Sequence, residues 1–217
     1  MSGFTFDDPT GTSSYSQSGS TIRISSGPKT DYWTTAPGSV PESSAHRASA
    51  PVLYQLHKLS PTANWRLKGT LHQPGTERFQ QATLFLRRVN PNEGANGEGQ
   101  KWLKSGIEIE QGRQFIGVVV SDPFSDWNVA PLANAPGKDA AKVDVEIEKV
   151  GPDVHVYYTP AGEKSRILLR EKKGFAPPTD AEHETWWLGA MVCGPLSEST
   201  EGTVENWTFE PITDAQH

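Results

Sequence analysis

A single cysteine, Cys193, leaves no partner for an internal disulfide, and a core that manages without bridges fits a reducing compartment. No run of about 18 apolar residues is present to cross a bilayer as a helix. The first residues, MSGFTFDDPTGTSSYSQSGS, lack a basic start followed by an apolar stretch, so they do not read as a secretory signal. These features predict a cytoplasmic chain that does not engage membranes. Cations are thin too: 20 Lys and Arg against 26 Asp and Glu give a net charge of −6. With no basic cluster to neutralise phosphates, nucleic acid is not an expected partner.

Motifs that would announce a cofactor or a nucleophile are also missing. There is no G-x-G-x-x-G, no G-x-x-x-x-G-K-[ST] and no G-x-S-x-G, so neither a nucleotide cofactor nor a serine nucleophile on a strained turn is indicated. His46, His57, His72, His155, His183 and His217 are scattered, with no H-x-H, H-x-x-H or H-E-x-x-H grouping. The acidic loops FDDPTG and NPNEGANGEG lack EF-hand spacing. Cys193 lies in an apolar run and reads as packed rather than reactive. The expectation is no cofactor and no metal.

What the chain does hold is punctuation. Its 20 glycines and 17 prolines are spread throughout, between short runs of alternating polarity, which is the pattern of an all-β protein. Strands are expected at 20–27, 51–59, 64–73, 80–89, 101–110, 113–122, 142–150, 153–160, 165–172, 186–194 and 202–211. A helical turn is expected only in the Ala-rich 133–141 region. Irregular chain is expected at 7–20, 34–50, 90–99 and 131–139, all rich in Ser, Pro, Gly, Asn or Ala. So many short strands predict a sandwich or a barrel, read as one domain over 1–217. In VDVEIEKV, Asp144, Glu146 and Glu148 share one face, which reads as the solvated side of a charged edge strand.

Carboxylates two apart on a strand lie roughly 6.5–7 Å apart on one face, close enough to raise glycoside hydrolysis at Asp144-x-Glu146-x-Glu148 and at Glu108-x-Glu110. The E-x-D-x-x-E pattern expected of sandwich glycosidases is absent, so that activity is not predicted. Seven tryptophans are many for this length. Trp65 and Trp207 read as core anchors, while Trp186 and Trp187, adjacent in a strand, must face opposite ways. In KWLKSGIEIE (101–110), Trp102, Lys104, Gly106 and Glu108 share a face opposite Leu103, Ile107 and Ile109, and SDW follows at 125–127. An aromatic wall beside Lys and Glu suits a polar, partly flat ligand. Glu110, at the strand's end, is left to solvent.

TDYW (30–33), QQATLFLR (80–87), KWLKSGIEIEQGRQFIGVVVSD (101–122), SDWNV (125–129), VHVYYTPAGE (154–163) and the closing WWLGAMVCGP and VENWTFEP occur in this order. The set resembles the DUF1349 family, which includes yeast regulator-of-enolase-type proteins and has a concanavalin A-like fold, an antiparallel jelly-roll sandwich of two sheets. The resemblance spans nearly the whole chain. One motif departs from it: the family's usual D-Q-A-G-L stands here as Gln80-Gln81-Ala82-Thr83-Leu84, so an acid is lost and a glycine is replaced by a bulkier residue. Some fungal members are similar to hetero-Diels–Alderases of natural-product pathways, which join tropolone quinone methides to sesquiterpene alkenes.

With the face pattern, the resemblance implies a site on the concave sheet. Lys104, Glu108 and Trp127 would be catalytic, and Tyr32, Trp33, Gln81, Thr83, Phe85, Trp102, Asp126, Trp187 and Met191 would bind substrate. The implied function is a cofactor-independent enzyme of secondary metabolism acting on an aromatic or terpenoid-like small molecule by hetero-Diels–Alder cycloaddition. Lys104 or a Trp N–H would polarise the electron-poor partner, and Glu108 would orient Lys104 or move a proton. Lys104→Ala and Trp127→Ala would then abolish turnover with the fold intact. Two other classes stay open: a carbohydrate-binding lectin-like module, since Trp faces stack on sugar rings, and a regulatory protein-interaction protein. A homo-oligomer is compatible with all three.

Overall fold

The computed structural model describes residues 3–40, 46–90, 100–133, 137 and 140–213. The expectations for 91–99, for most of the Ala-rich 133–141 region and for His217 lie outside the described residues. Among those described, the strands form two seven-stranded sheets and one two-stranded sheet. The first sheet runs β1 (Thr5–Asp7), β6 (Val52–Leu59), β15 (Glu184–Cys193), β8 (Gln81–Arg88), β9 (Lys101–Glu110), β10 (Arg113–Ser121) and β11 (Ser125–Pro131). The second runs β14 (Ile167–Lys172), β13 (Asp153–Thr159), β12 (Lys142–Val150), β7 (Trp65–His72), β16 (Thr200–Pro211), β3 (Thr21–Ser26) and β2 (Ser14–Ser18). Among the described residues β4 (Tyr32–Thr34) pairs only with β5 (His46–Ala48). Every pairing is antiparallel, giving a jelly-roll sandwich.

Alternation decides which side chains enter the core. Leu103 and Ile107 of β9 pack between the sheets with Leu67, Leu71, Leu84 and Leu86, and Trp65 meets Trp186 edge-on at 5.3 Å. Burial of each such large side chain stabilises the fold by roughly 1.5–3 kcal/mol. The first sheet is covered on its other face as well, where Tyr32, Val52, Tyr54, Phe85, Trp102, Val119, Met191 and Cys193 form a second apolar cluster. That explains the unbroken valine run of β10: Val118 and Val120 face the sandwich core and Val119 the outer cluster. β8 and β9 approach so closely that a Cβ on Gly106 would stand 2.1 Å from the Ala82 carbonyl oxygen, a position only glycine can occupy.

Four expectations are corrected. β12 is not an edge strand; it lies between β7 and β13. Its carboxylates are not simply solvated, because Glu148 is buried and accepts from Arg66 Nε at 2.7 Å and from Arg166 Nη1 at 2.8 Å, while Lys68 Nζ is 3.0 Å from Glu146. Neighbouring strands supply the counter-charges, which removes the cost of a central acidic row. Strands also occupy parts of 7–20, 34–50 and 125–131 that read as irregular or as a short motif. Trp65 is a core residue, whereas Trp207 is only half-buried and packs on Phe4 at 5.0 Å.

Candidate active site

Strand register brings the chemistry together. Lys104 on β9, Val119 on β10 and Trp127 on β11 stand in one row, and Gln81 on β8 stands opposite Glu108. They project from the face of the first sheet turned away from the sandwich core. With Asp31, Trp33, Arg47, Phe79, Pro195 and Leu196 they line a cleft of about 510 Å³.

Glu108 sits in its floor, only 4% exposed. Its Oε2 accepts the indole N–H of Trp127 at 3.0 Å and its Oε1 accepts the Gln81 amide at 3.2 Å. Gly117 on β10 makes this meeting possible, since a Cβ there would lie 3.2 Å from Glu108 Oε2 and 3.3 Å from Val129. Burial pushes the Glu108 carboxyl up from 4.5 to about 7; the Lys104 charge and the Trp127 hydrogen bond work against this, and Asp31 and Glu110 with it. A carboxyl poised there gives or takes a proton with little driving force either way.

Lys104 is 1% exposed, and its ammonium donates to Asp31 Oδ1 at 3.1 Å. Burial, the largest single influence, pulls the ammonium down, but the charge and hydrogen bond of Asp31 together with Glu108 and Cys193 outweigh it, and the net direction is up. Lys104 is therefore a fixed cation rather than a nucleophile. Asp31 is itself held, accepting from Tyr32 N at 2.8 Å through Oδ1 and from the Ser49 and Ala50 amides through its carbonyl. Cys193 lies behind, its Sγ 3.9 Å from Asp31 Oδ1, and burial pushes its thiol up so that it stays protonated. The partner that orients Lys104 is Asp31, not Glu108.

A family described as "Protein of unknown function (DUF1349)" matches residues 9–212. The chain belongs to the DUF1349 family. The uncharacterized protein AN7484 of Emericella nidulans is 25% identical over 170 residues, covering 78% of this chain and 75% of that one. A functionally unknown protein from Saccharomyces cerevisiae shares the fold with a TM-score of 0.73 at 18% identity, over 98% of both chains. The VIP36 exoplasmic/lumenal domain in its Ca2+/Man2-bound form gives a TM-score of 0.55 at 12% identity, over 99% of this chain and 83% of that one. The DUF1349 chain is thus a concanavalin A-like sandwich.

Of the residues its sequence singled out, the DUF1349 chain brings Trp33, Gln81, Lys104, Glu108 and Trp127 to the cleft. Tyr32, Phe85, Trp102 and Met191 do not line the cleft but are buried beside it in the outer apolar cluster, with Tyr32 packed 5.0 Å from Phe85 and 5.5 Å from Trp102. Thr83 is buried there too, its hydroxyl donating to the Met191 carbonyl at 3.4 Å. Gln80 bonds Ser199 and Thr200 outside the cleft. Trp187 stacks on Tyr54 at 4.0 Å under Arg87, elsewhere on the face, and the exposed Asp126 pairs with Arg170 instead of entering the cleft. Glu110, expected in solvent, is 5% exposed and ion-paired with Arg78 at 2.9 Å.

Asp31, Arg47, Phe79, Val119, Pro195 and Leu196 also line the cleft, and none was expected there from sequence. A signal existed for Asp31, because a lysine on a buried face requires a carboxylate and TDYW carried one. Arg47 and Phe79 lie in stretches that carry no alternation to read. In the acidic loop FDDPTG, Asp8 accepts hydrogen bonds from Thr10 and Ser13. Among the described residues no three His, Cys, Asp or Glu side chains group to hold a metal ion.

Proposed function

We propose that this DUF1349 protein takes a small, flat, largely apolar molecule into the cleft and converts it by proton transfer at Glu108. The observation that carries the reading is a buried carboxyl titrating near pH 7 in the floor of a cleft walled by Trp33, Phe79, Val119, Trp127 and Leu196. Aromatic and aliphatic walls hold a ring by area and stacking. A positioned acid or base contributes typically 10²–10⁴-fold in rate. Trp127 N–H and Gln81 hold the carboxyl, and the Lys104–Asp31 pair adds a fixed dipole beside it.

The finer form of this reading is an intermolecular hetero-Diels–Alder addition in secondary metabolism. Protonated Glu108 would hand its proton to a hydroxyl leaving the side chain of the ring, so that water departs as the ring hydroxyl gives up its own proton and the conjugated ring system forms; the cleft would then hold ring and alkene in contact. Alignment of two reactants supplies about 7–11 kcal/mol of the barrier by itself. All atoms of both partners stay in the adduct, so the step needs no oxidant or reductant.

A second reading, carbohydrate binding, draws on the mannose-bound VIP36 domain of similar fold. A sugar asks for many free donors and acceptors, whereas here Gln81, Glu108 and Trp127 bond one another, and Asp31 bonds Lys104. Titration of the intrinsic tryptophan fluorescence with 2-naphthol and with methyl mannoside separates the two. We expect the naphthol to bind and Trp127→Ala to weaken it at least about tenfold, near 1.4 kcal/mol. Unchanged affinity in that variant would refute the site; binding of the mannoside alone would establish the lectin reading instead.

A further inference from the structure

Phe79 precedes β8 with a backbone φ of +66°, in the left-handed region that a bulky side chain avoids. The strain is held in place from several sides. Phe79 N–H donates to the Ile109 carbonyl at 2.7 Å, and Ile109 N–H donates back to the Gln80 carbonyl at 3.0 Å. Gln80 Oε1 accepts from Glu77 N at 3.0 Å, closing the turn. The result is a half-buried ring in the cleft wall, edge-on to Trp127 with centroids 6.2 Å apart and planes at 77°. Behind it the Arg78 guanidinium lies 4.3 Å from the ring centroid and is anchored by Glu110 at 2.9 Å. A ring needed only to fill space would not require this backbone, and strained non-glycine positions concentrate at functional sites.

We propose that Phe79 is a specificity-determining residue: with Trp127 it forms a fixed right-angled aromatic jaw that admits planar unsaturated rings and discriminates against puckered saturated rings of the same skeleton. The proposal rests on the reading of the cleft as a small-molecule site and names the shape that site selects. A planar ring lying flat on the Trp127 indole presents its edge to the Phe79 face, or the reverse, so both contacts are made at once. A chair-shaped ring is too thick to make both. Arg78 and Glu110 are positioning residues that keep the Phe79 ring from swinging aside.

The test measures affinity for 2-naphthol and for decahydro-2-naphthol in the wild type, Phe79→Leu, Phe79→Gly and Trp127→Ala. The wild type is expected to prefer the planar compound by roughly tenfold, the size of an aromatic pair contact. Phe79→Leu should reduce that preference to less than about threefold. Phe79→Gly should do the same while leaving Tm within about 3 °C, since glycine relieves the left-handed strain. Persistence of the full preference in both Phe79 variants overturns the assignment while the cleft reading stands. A fall in Tm of about 10 °C or more in Phe79→Gly overturns it too, by showing the ring to be a structural prop. Failure of the wild type to bind either compound, or wild-type affinity in Trp127→Ala, removes the cleft reading and this inference with it.

Discussion

Lys104→Met is expected to lower the unfolding free energy by roughly 3–5 kcal/mol, the range for removing one partner of a buried ion pair. For a chain of this size that is a fall in Tm on the order of 10 °C. The loss arises because Asp31 stays behind: its carboxylate, 3.1 Å from the Lys104 ammonium, is left without a counter-charge in a site where both groups are largely buried. Adding Asp31→Asn removes the stranded charge while an amide oxygen still accepts from Tyr32 N, so the double variant should regain at least half of the loss. Urea unfolding of the two single variants and the double variant measures the coupling directly. A loss below about 1 kcal/mol in Lys104→Met would mean that water reaches the pair and that it behaves like a surface salt bridge. This outcome differs from the expectation drawn from sequence, in which Lys104→Ala costs turnover alone. The structure makes Lys104 a structural cation first, so activity lost in its variants does not by itself assign it a chemical role.

Glu108→Gln should act in the opposite direction on stability and has a pH signature. The folded-state pKa of Glu108 is raised from 4.5 to about 7. The protonated form is thus favoured by folding, and the associated stability is fully present below about pH 4.5 and lost as pH rises to 7 and above. The loss is worth roughly 3 kcal/mol, at about 1.4 kcal/mol for each pH unit between the two values. Glutamine carries no such charge. Unfolding free energies of the variant and the wild type should therefore nearly coincide at pH 4.5 and diverge by about 2–3 kcal/mol in the variant's favour by pH 8. A parallel pair of curves would show that Glu108 titrates as an ordinary surface glutamate. Under the proposed function, the same variant keeps its affinity for planar ligands and loses turnover by about 10²–10⁴-fold. Stabilisation together with inactivity is the mark of a group kept at an energetic cost for chemistry.

The frame of this site was legible in the sequence because alternation is a property of single strands. β9 and β10 could be read off KWLKSGIEIE and RQFIGVVVSD, and with them the face that carries Lys104 and Glu108. What could not be read depended on partners distant in sequence. Asp31 is 73 positions from Lys104, and Arg66 is 82 from Glu148, so the charges were visible and their neutralisation was not. β12 looked like an edge strand for that reason. β4 and β5 were hidden in a Ser- and Pro-rich stretch whose strands are three residues each, too short for a period to show. Phe79 gave no signal, since nothing in a one-letter code announces a positive φ on an aromatic residue.

The two halves of the cleft are attached to the protein in different ways. Glu108, Val119 and Trp127 stand on three consecutive paired strands of the large sheet. Trp33 and Arg47 sit on the separate two-stranded sheet, which is joined to its surroundings by the Asp31–Lys104 pair and by Thr34 N–H donating to Ser125 Oγ at 2.8 Å. A substitution at Glu108 or Val119 disturbs the interior of the fold; one at the half-buried Trp33 or the exposed Arg47 can leave the neighbouring buried Tyr32 and Asp31 in place. Descendants of this chain can therefore diverge in the shape of the cleft by changing Trp33 and Arg47, while Glu108 and its partners Gln81 and Trp127 are inherited unchanged.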